Sequence, residues 1–182
     1  MYSNKSPRKP QIHTTETAKD KTMKSNNPIP PGFHTLTPYL IVNGAKKAID
    51  FYKKAFAAEE RFIMPGPDGR VMHGEIKIGD SIVFLCDEMP ERENLGPLSR
   101  GGATSSLMMY IKDVDTSFDK AVKAGCTIKM PLANQFWGDR FGVLVDPFGH
   151  VWCLSTHVED VSPEEMEKRS AEACKQAAAT KK

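Results

Sequence analysis

The chain has 182 residues, a mass of 20.2 kDa and a formal net charge of +2. Its positive charge is concentrated in residues 1 to 31, with six Lys or Arg against two acidic residues, whereas residues 32 to 157 carry fourteen against fifteen, which argues against a nucleic-acid partner. No apolar run approaches the ~18 residues of a membrane span, and we expect neither a secretory leader nor a membrane segment.

Residues 1 to 31 are predicted to be a disordered basic tail. They are rich in Lys, Ser, Thr, Asn and Pro and contain almost no large apolar side chains. Such a segment cannot bury enough surface to offset the entropy lost on ordering. An organelle transit peptide is the alternative, against which the acidic residues Glu16 and Asp20 argue.

The first half of the body, about residues 33 to 90, is predicted to fold as a β-α-β-β-β module. TLTPYLIV, residues 35 to 42, has the composition of a strand, and the apolar residues after it recur at helical spacing: Ala45, Ala48, Ile49, Tyr52, Ala55 and Phe56. ERFIMPGPDG, RVMHGEIKI and SIVFLCDE predict three further strands separated by Pro and Gly turns.

The second half, about residues 103 to 158, shows the same order of elements. SSLMMYIK predicts a strand, Asp113 is the expected N-cap of a helix, and CTIKMPL, FGVLVD and HVWCLSTH predict three more strands. A shift of 69 residues superposes the halves and places Asp50, Lys54 and Ala55 on identical residues. We therefore predict an α+β fold of two tandem modules that form a curved mixed sheet around a cleft.

A C-terminal helix and a frayed tail are predicted over residues 161 to 182, after a single domain over residues 32 to 160. Ser162, Pro163 and Glu165 form a capping box. The apolar stripe Met166, Ala173 and Ala177 is thin, so we expect this helix to pack loosely on the body or on a partner subunit.

The four cysteines indicate a reducing, cytoplasmic location. Cys86, Cys126, Cys153 and Cys174 form neither a C-x-x-C pair nor a disulfide framework.

Several long stretches resemble one known family. TPYLIVNGAKKAIDFYKKAF, MPGPDGRVMHGEIKIGDSIVFLCDE, YIKDVD and QFWGDRFGVLVDPFGHVW resemble the PhnB-like branch of the vicinal oxygen chelate superfamily. That superfamily includes glyoxalase I, extradiol dioxygenases, fosfomycin-resistance enzymes and bleomycin-binding proteins. The resemblance covers residues 32 to 160 and implies a glyoxalase-like fold, commonly assembled as a homodimer. It does not imply one function, because the superfamily spans several chemistries.

In the metal-using relatives, each module offers one ligand from its first strand and one from its last, typically His and Glu. The corresponding residues here are Thr37, Ser106, Cys153 and either Val83 or Phe84. Hydroxyl groups and a single thiol cannot offset the dehydration of a divalent cation. We therefore expect no metal site of the family type, and Thr37, Ser106 and Cys153 are predicted to contact a small-molecule ligand instead.

DPFGHVWCLSTH places Cys153 between His150 and His157, which raises the question of a local metal site. On a strand, His150 points away from the face that carries Cys153. His157 lies about four residues beyond Cys153 at ~3.3 Å per residue, which is too far for both to bind the same ion. The stretch therefore does not predict a metal site, and we expect Cys153 to be an inert thiol.

Apolar and aromatic residues of a cleft are the candidate ligand contacts. Tyr39, Met108 and Tyr110 come from the first strands of the two modules, and Phe136, Trp137 and Phe141 flank the NQFWGDRFG loop. Any one of them can instead be ordinary core.

Two polar features complete the candidate site. His73 is the expected acid or base, or else a structural histidine at a sheet edge. In the loop, Arg140 can grip an anionic ligand that Asp139 orients, or the two can form a structural pair.

Our first hypothesis is a homodimer that binds a small molecule in its cleft without a metal. One alternative is an enzyme. It is either a metal-dependent lyase or dioxygenase with displaced ligands, for instance His73 and Glu75, or a metal-independent isomerase that uses His73. A third possibility is an interaction protein that uses the basic tail. The first hypothesis needs no metal cofactor, and a divalent cation is the cofactor of the metal-dependent alternative.

Overall fold

The computed structural model describes residues 26 to 179. Residues 1 to 25, which hold most of the predicted basic tail, and residues 180 to 182 lie outside the described part. From Pro31 onward the chain forms one compact unit.

The first module consists of four strands and one helix: β1 (Tyr39–Val42), α1 (Ala45–Phe56), β2 (Glu59–Pro65), β3 (Val71–Ile78) and β4 (Ser81–Asp87). The sheet order is β1-β4-β3-β2, with β1 parallel to β4 and the other pairs antiparallel. Strand β1 is shorter than predicted, because its pairing with β4 begins only at Tyr39. A 3-10 helix, Pro90–Arg92, follows the module.

The second module repeats this arrangement: β5 (Ser106–Tyr110), α2 (Val114–Ala124), β6 (Thr127–Asn134), β7 (Asp139–Val145) and β8 (Val151–His157). The sheet order is β5-β8-β7-β6. The predicted α+β glyoxalase-like fold is confirmed. Strand β7 starts two residues earlier than predicted, so Asp139 and Arg140 lie on a strand and not in a loop.

The registers of the two sheets match at the predicted offset. Tyr39 pairs with Phe84 in the first sheet, and Met108 pairs with Cys153 in the second. Both members of the second pair are 69 residues beyond those of the first. This register identifies Phe84, and not Val83, as the counterpart of Cys153.

The last strand of each module caps the helix of that module. Asp87 Oδ1 accepts hydrogen bonds from the backbone N–H groups of Gly44 and Ala45, at 2.8 Å each. Thr156, at the equivalent position, accepts one from the N–H of Val114 at 3.0 Å. Two different residue types thus satisfy the same unpaired donors at a helix N-terminus.

The core lies on the helix face of each sheet, where α1 and α2 also pack against each other. Phe56 of α1 contacts Trp152 of the second sheet with ring centroids 4.5 Å apart. Tyr52 and Trp152 both donate to Asp146 at 2.8 Å. Burial and then the Asp146 carboxyl raise the pKa of Tyr52 well above its usual value. This cluster joins the two modules.

The opposite face of each sheet, here called the open face, is not covered by either helix. Large apolar side chains are correspondingly exposed on it, namely Tyr39, Phe62, Met64, Met108 and Tyr110. The two sheets share no hydrogen-bonded ladder within the described residues.

Helix α3 runs over Pro163–Ala179 and is attached mainly at its start. The predicted cap is confirmed, since the Glu165 N–H donates to Ser162 Oγ at 3.3 Å. Arg169 pairs with Glu159 at 2.8 Å and with Glu165 at 2.9 Å. No side chain of α3 that the structure describes is fully buried. Over residues 26 to 179, no helix combines the length and apolar character of a membrane span.

Candidate functional site

A cavity of about 880 Å³ lies between the two modules. Its walls are residues 38 to 40 at the start of β1, all of residues 105 to 111 around β5, the end of α1 and the turn between β3 and β4. Consecutive side chains of a strand point to opposite faces of the sheet, so a cavity on one face would be lined by every second residue. Because all of residues 105 to 111 line the cavity, β5 faces it with its edge. Both β1 and β5 are edge strands of their sheets.

The open face of the first sheet carries a histidine held between two polar partners. His73 Nδ1 lies 3.3 Å from the Tyr39 hydroxyl, and Nε2 lies 3.5 Å from Glu75 Oε1. The imidazole also contacts the ring of Phe84, at 4.7 Å between centroids. Burial, and then the Cys86 thiol, raise the pKa of Tyr39 to about 12, so Tyr39 remains a phenol near neutral pH.

The open face of the second sheet carries a different polar cluster, centred on Asp139. Tyr110 donates to Asp139 Oδ2 at 3.1 Å, and His157 Nδ1 lies 2.8 Å from Oδ1. Burial raises the pKa of Asp139, but the hydrogen bonds from His157 and Tyr110 outweigh it and lower that pKa overall. Asp160 and then Asp139 raise the pKa of His157. The imidazolium, which donates from both nitrogens, fits this position.

Four of the predicted ligand contacts line the cavity: Tyr39, Ser106, Met108 and Tyr110. His73 does not line it and reaches it only through Tyr39. The other predicted contacts lie outside the cavity wall: Thr37, Phe136, Trp137, Arg140, Phe141 and Cys153.

Arg140 is engaged in a contact that the sequence did not indicate. Its guanidinium binds the Asp115 carboxylate of α2 at 2.6 and 2.7 Å and the Asn134 amide at 3.2 Å. The predicted pairing of Arg140 with Asp139 is therefore not formed. Trp137 packs edge-on against Phe136 and Phe141 instead of facing the cavity.

Lys77 of the site was missed in the sequence, and Glu75 was considered there only with His73 as a displaced metal ligand. The alternation in VMHGEIKI places His73, Glu75 and Lys77 on one face of β3, so the signal was available. This signal was overlooked because alternation shows which face of β3 a side chain occupies and not how far that side chain lies from Tyr39.

The donor set does not fit the metal ion that the family relatives use. The four corresponding residues are Thr37, Phe84, Ser106 and Cys153. Within residues 26 to 179, no three His, Cys, Asp or Glu side chains are grouped so that they can hold a metal ion. Two hydroxyls, a phenyl ring and one thiol do not replace His and Glu.

A model of the Glyoxalase/Bleomycin resistance protein/Dioxygenase superfamily matches residues 32 to 154, which is more than half of the chain. The chain belongs to this superfamily. A protein of Mycobacterium tuberculosis, Rv0887c, is 42% identical over 135 residues, which cover 72% of this chain and 79% of that protein.

Solved structures of other proteins support the fold. TioX from Micromonospora is 23% identical, with a TM-score of 0.54, over 68% of this chain and 98% of TioX. The PhnB protein of Bacillus cereus, whose structure is described as a putative 3-demethylubiquinone-9 3-methyltransferase, is 21% identical, with a TM-score of 0.53, over 68% of this chain and 99% of that one. At these identities the likeness concerns the fold alone.

Proposed function

We propose that this superfamily member binds a small, partly aromatic or amphiphilic molecule in the cavity between its modules. The cavity carries the proposal, because about 880 Å³ falls within the ~300–1,000 Å³ of small-molecule sites. Met108 supplies an adaptable apolar wall, and Tyr39 and Ser106 supply polar contacts that can orient a ligand. The four free cysteines support a cytoplasmic location as part of the same proposal.

A ligand screen by thermal shift tests this proposal. A ligand at a hundred times its Kd stabilises the fold by roughly 2.7 kcal/mol, which raises the melting temperature measurably. We expect Met108→Trp to reduce the shift, because the larger side chain on β5 occupies part of the space next to the cavity wall, and Met130→Trp to retain it. Met130 is a partly exposed methionine on the same sheet that does not line the cavity. Hits that stabilise Met108→Trp as well as the parent protein would contradict the assignment of the cavity.

The second part of the proposal is that ligand binding needs no metal. It is supported by the residues at the family positions, Thr37, Phe84, Ser106 and Cys153, which lack imidazole and carboxylate groups. Elemental analysis of protein purified without chelator tests it. One equivalent of Zn, Mn, Fe or Ni per chain would overturn this part, while the cavity assignment would stand.

We also propose that the protein is a homodimer. The proposal rests on the exposed apolar side chains of the open faces, Phe62 and Met64 among them, which do not line the cavity. A second copy can cover these faces. Light scattering over a dilution series is expected to give twice the chain mass; the mass of one chain at every concentration would contradict it.

A second candidate function is metal-independent proton-transfer catalysis, as in an isomerase. The contact of His73 with Tyr39 favours it, because histidine is the side chain that most often transfers protons in catalysis and a hydroxyl lies 3.3 Å from its Nδ1. This candidate requires a turnover that disappears in His73→Ala while the fold is retained. Within the part of the chain that the structure describes, no comparable feature favours a metal-dependent lyase or dioxygenase.

A further inference from the structure

A bulge in strand β2 directs the side chain of Arg61 to the open face of the first sheet. The pairing of β2 with β3 shifts between Glu60 and Phe62, which leaves Arg61 as the extra residue. An extra residue of this kind interrupts the alternation of a strand and re-aims a side chain. The Arg61 guanidinium lies over the ring of Phe33, 5.7 Å from its centroid, and that ring contacts Phe84 on the open face at 5.6 Å between centroids. Arg61 therefore reaches the same face as Phe84.

Arg61 and Lys77 line one small pocket on this face. The pocket has a volume of about 340 Å³, and its other walls are Gly32, Asp80 and Ile82. Ile82 pairs with Lys77 in the register of β3 and β4 and is only 3% exposed, so it forms the floor of the pocket. None of the exposed apolar side chains proposed to meet a second copy lines this pocket.

Neither cation of the pocket has an anionic partner in the described part of the chain. Within residues 26 to 179, Arg61 and Lys77 form no ion pair, and their side chains donate no hydrogen bond. Asp80 also lines the pocket, but its carboxylate binds the Ser81 hydroxyl at 2.9 Å and pairs with neither cation. Glu59 stands opposite Lys77 in the sheet register and forms no ion pair with it. Two cations and one carboxylate give the walls a formal charge of +1.

The contact with Phe33 holds the Arg61 side chain and leaves its hydrogen-bond donors free. The face of an aromatic ring attracts a cation, whereas the N–H groups of a guanidinium lie in its own plane and point outward. The donors of Arg61 and of Lys77 are therefore available to a ligand. Gly32 has φ of 83° and no side chain, so it adds backbone to the wall without narrowing the pocket.

We infer that this pocket, here called the phosphate pocket, binds a phosphate group carried either by inorganic phosphate or by a soluble phosphate monoester. The oxygens of a phosphate point in several directions, so a guanidinium fork can bind two of them while an ammonium binds a third. A planar carboxylate satisfies the guanidinium alone. The excess positive charge of the walls has the sign that such an anion requires.

The phosphate pocket is distinct from the cavity between the modules. Lys77 and Asp80 line both spaces, whereas Arg61, Gly32 and Ile82 line the phosphate pocket alone. The inference therefore does not rest on the proposed small-molecule function. Arg61→Gln is expected to weaken phosphate binding and to leave the thermal shift caused by cavity ligands unchanged, which separates the two sites.

Calorimetric titration at low ionic strength, with inorganic phosphate and with phenyl phosphate, tests the inference. Arg61→Gln and Lys77→Gln should each weaken binding about tenfold, because each removes a charged hydrogen-bond donor. Arg92→Gln and Lys54→Gln are the matched controls. Both replace exposed cations that do not line the pocket, so they should leave binding unchanged.

Two further variants test the sign of the charge effect and the role of the ring. Asp80→Asn removes the opposing carboxylate and should strengthen binding about twofold to fivefold, a gain that a misfolded variant cannot produce. Phe33→Leu removes the ring beneath the guanidinium and should weaken binding about twofold to fivefold. Phe33→Tyr keeps the ring and should retain binding.

Absence of binding for both probes overturns the inference. Binding that persists in both Arg61→Gln and Lys77→Gln also overturns it, because the phosphate then lies elsewhere, as does weaker binding by a folded Asp80→Asn variant. If only phenyl phosphate binds, the pocket is assigned to monoesters, and if only inorganic phosphate binds, it is assigned to the free anion. Melting temperatures identify variants that do not fold, and Asp80→Asn tests the pocket even if another variant is unstable.

Discussion

Replacing Asp146 with alanine is expected to lower the free energy of unfolding by about 3–5 kcal/mol. Asp146 is only 4% exposed and accepts four hydrogen bonds. Two come from the side chains of Tyr52 and Trp152, and two come from backbone N–H groups of the turn before β8. Removal of the carboxyl leaves buried donors without partners, and each such donor costs ~1–3 kcal/mol.

The matched control is Asp115→Ala, which removes an exposed carboxylate from its pair with Arg140. Exposed ion pairs contribute about 0–1 kcal/mol, so this variant should remain close to the parent protein. Urea unfolding followed by fluorescence measures both variants. Equal losses for the two would mean that Asp146 does not hold the modules together.

Periodicity and turn chemistry predicted the elements of this fold because they are local properties. The helical stripe of α1, the Asp113 cap and the Ser162 cap all depend on residues within one or two turns of each other. The repeat at 69 residues added the relation between the modules, and the sheet registers agree with it. These features need no knowledge of distant contacts.

The candidate site was less predictable because its contacts are set by sheet order. Tyr39 and His73 are 34 residues apart and lie on strands separated by β4. Neither the order of strands nor the reach of a side chain across a strand can be obtained from alternation alone. Tyr39 and His73 were both predicted as site residues, but their contact was not.

In the second module, the contacts of Arg140 were also not predictable from the sequence alone. Its neighbour in the sequence, Asp139, points to the open face of the second sheet, where it binds Tyr110 and His157. Successive strand residues point to opposite faces, so Arg140 faces α2 and meets Asp115. The predicted pairing of Asp139 with Arg140 assumed that both residues lie in a loop. Strand β7 already begins at Asp139, so the two side chains point to opposite faces and do not pair.

Gly138→Ala is expected to lower the free energy of unfolding by about 3 kcal/mol or more. Gly138 ends the turn between β6 and β7 with φ of 94°, which costs an L-residue ~1–2 kcal/mol. A Cβ there would also overlap the carbonyl oxygen of Glu159. The carbonyl of Gly138 accepts hydrogen bonds from the N–H groups of Val158 and Glu159, at 2.9 and 3.0 Å, so the backbone cannot move away without losing them.

Gly69→Ala separates backbone strain from this overlap. Gly69 has a similar φ of 83°, but a Cβ at that position would meet no atom within 4 Å. Its alanine variant should therefore lose only about 1–2 kcal/mol, the cost of the left-handed conformation. Urea unfolding of both variants at one pH gives the difference between them. Equal losses would show that the segment after β8 moves aside freely, and that its hydrogen bonds to Gly138 do not fix the start of the connection to α3.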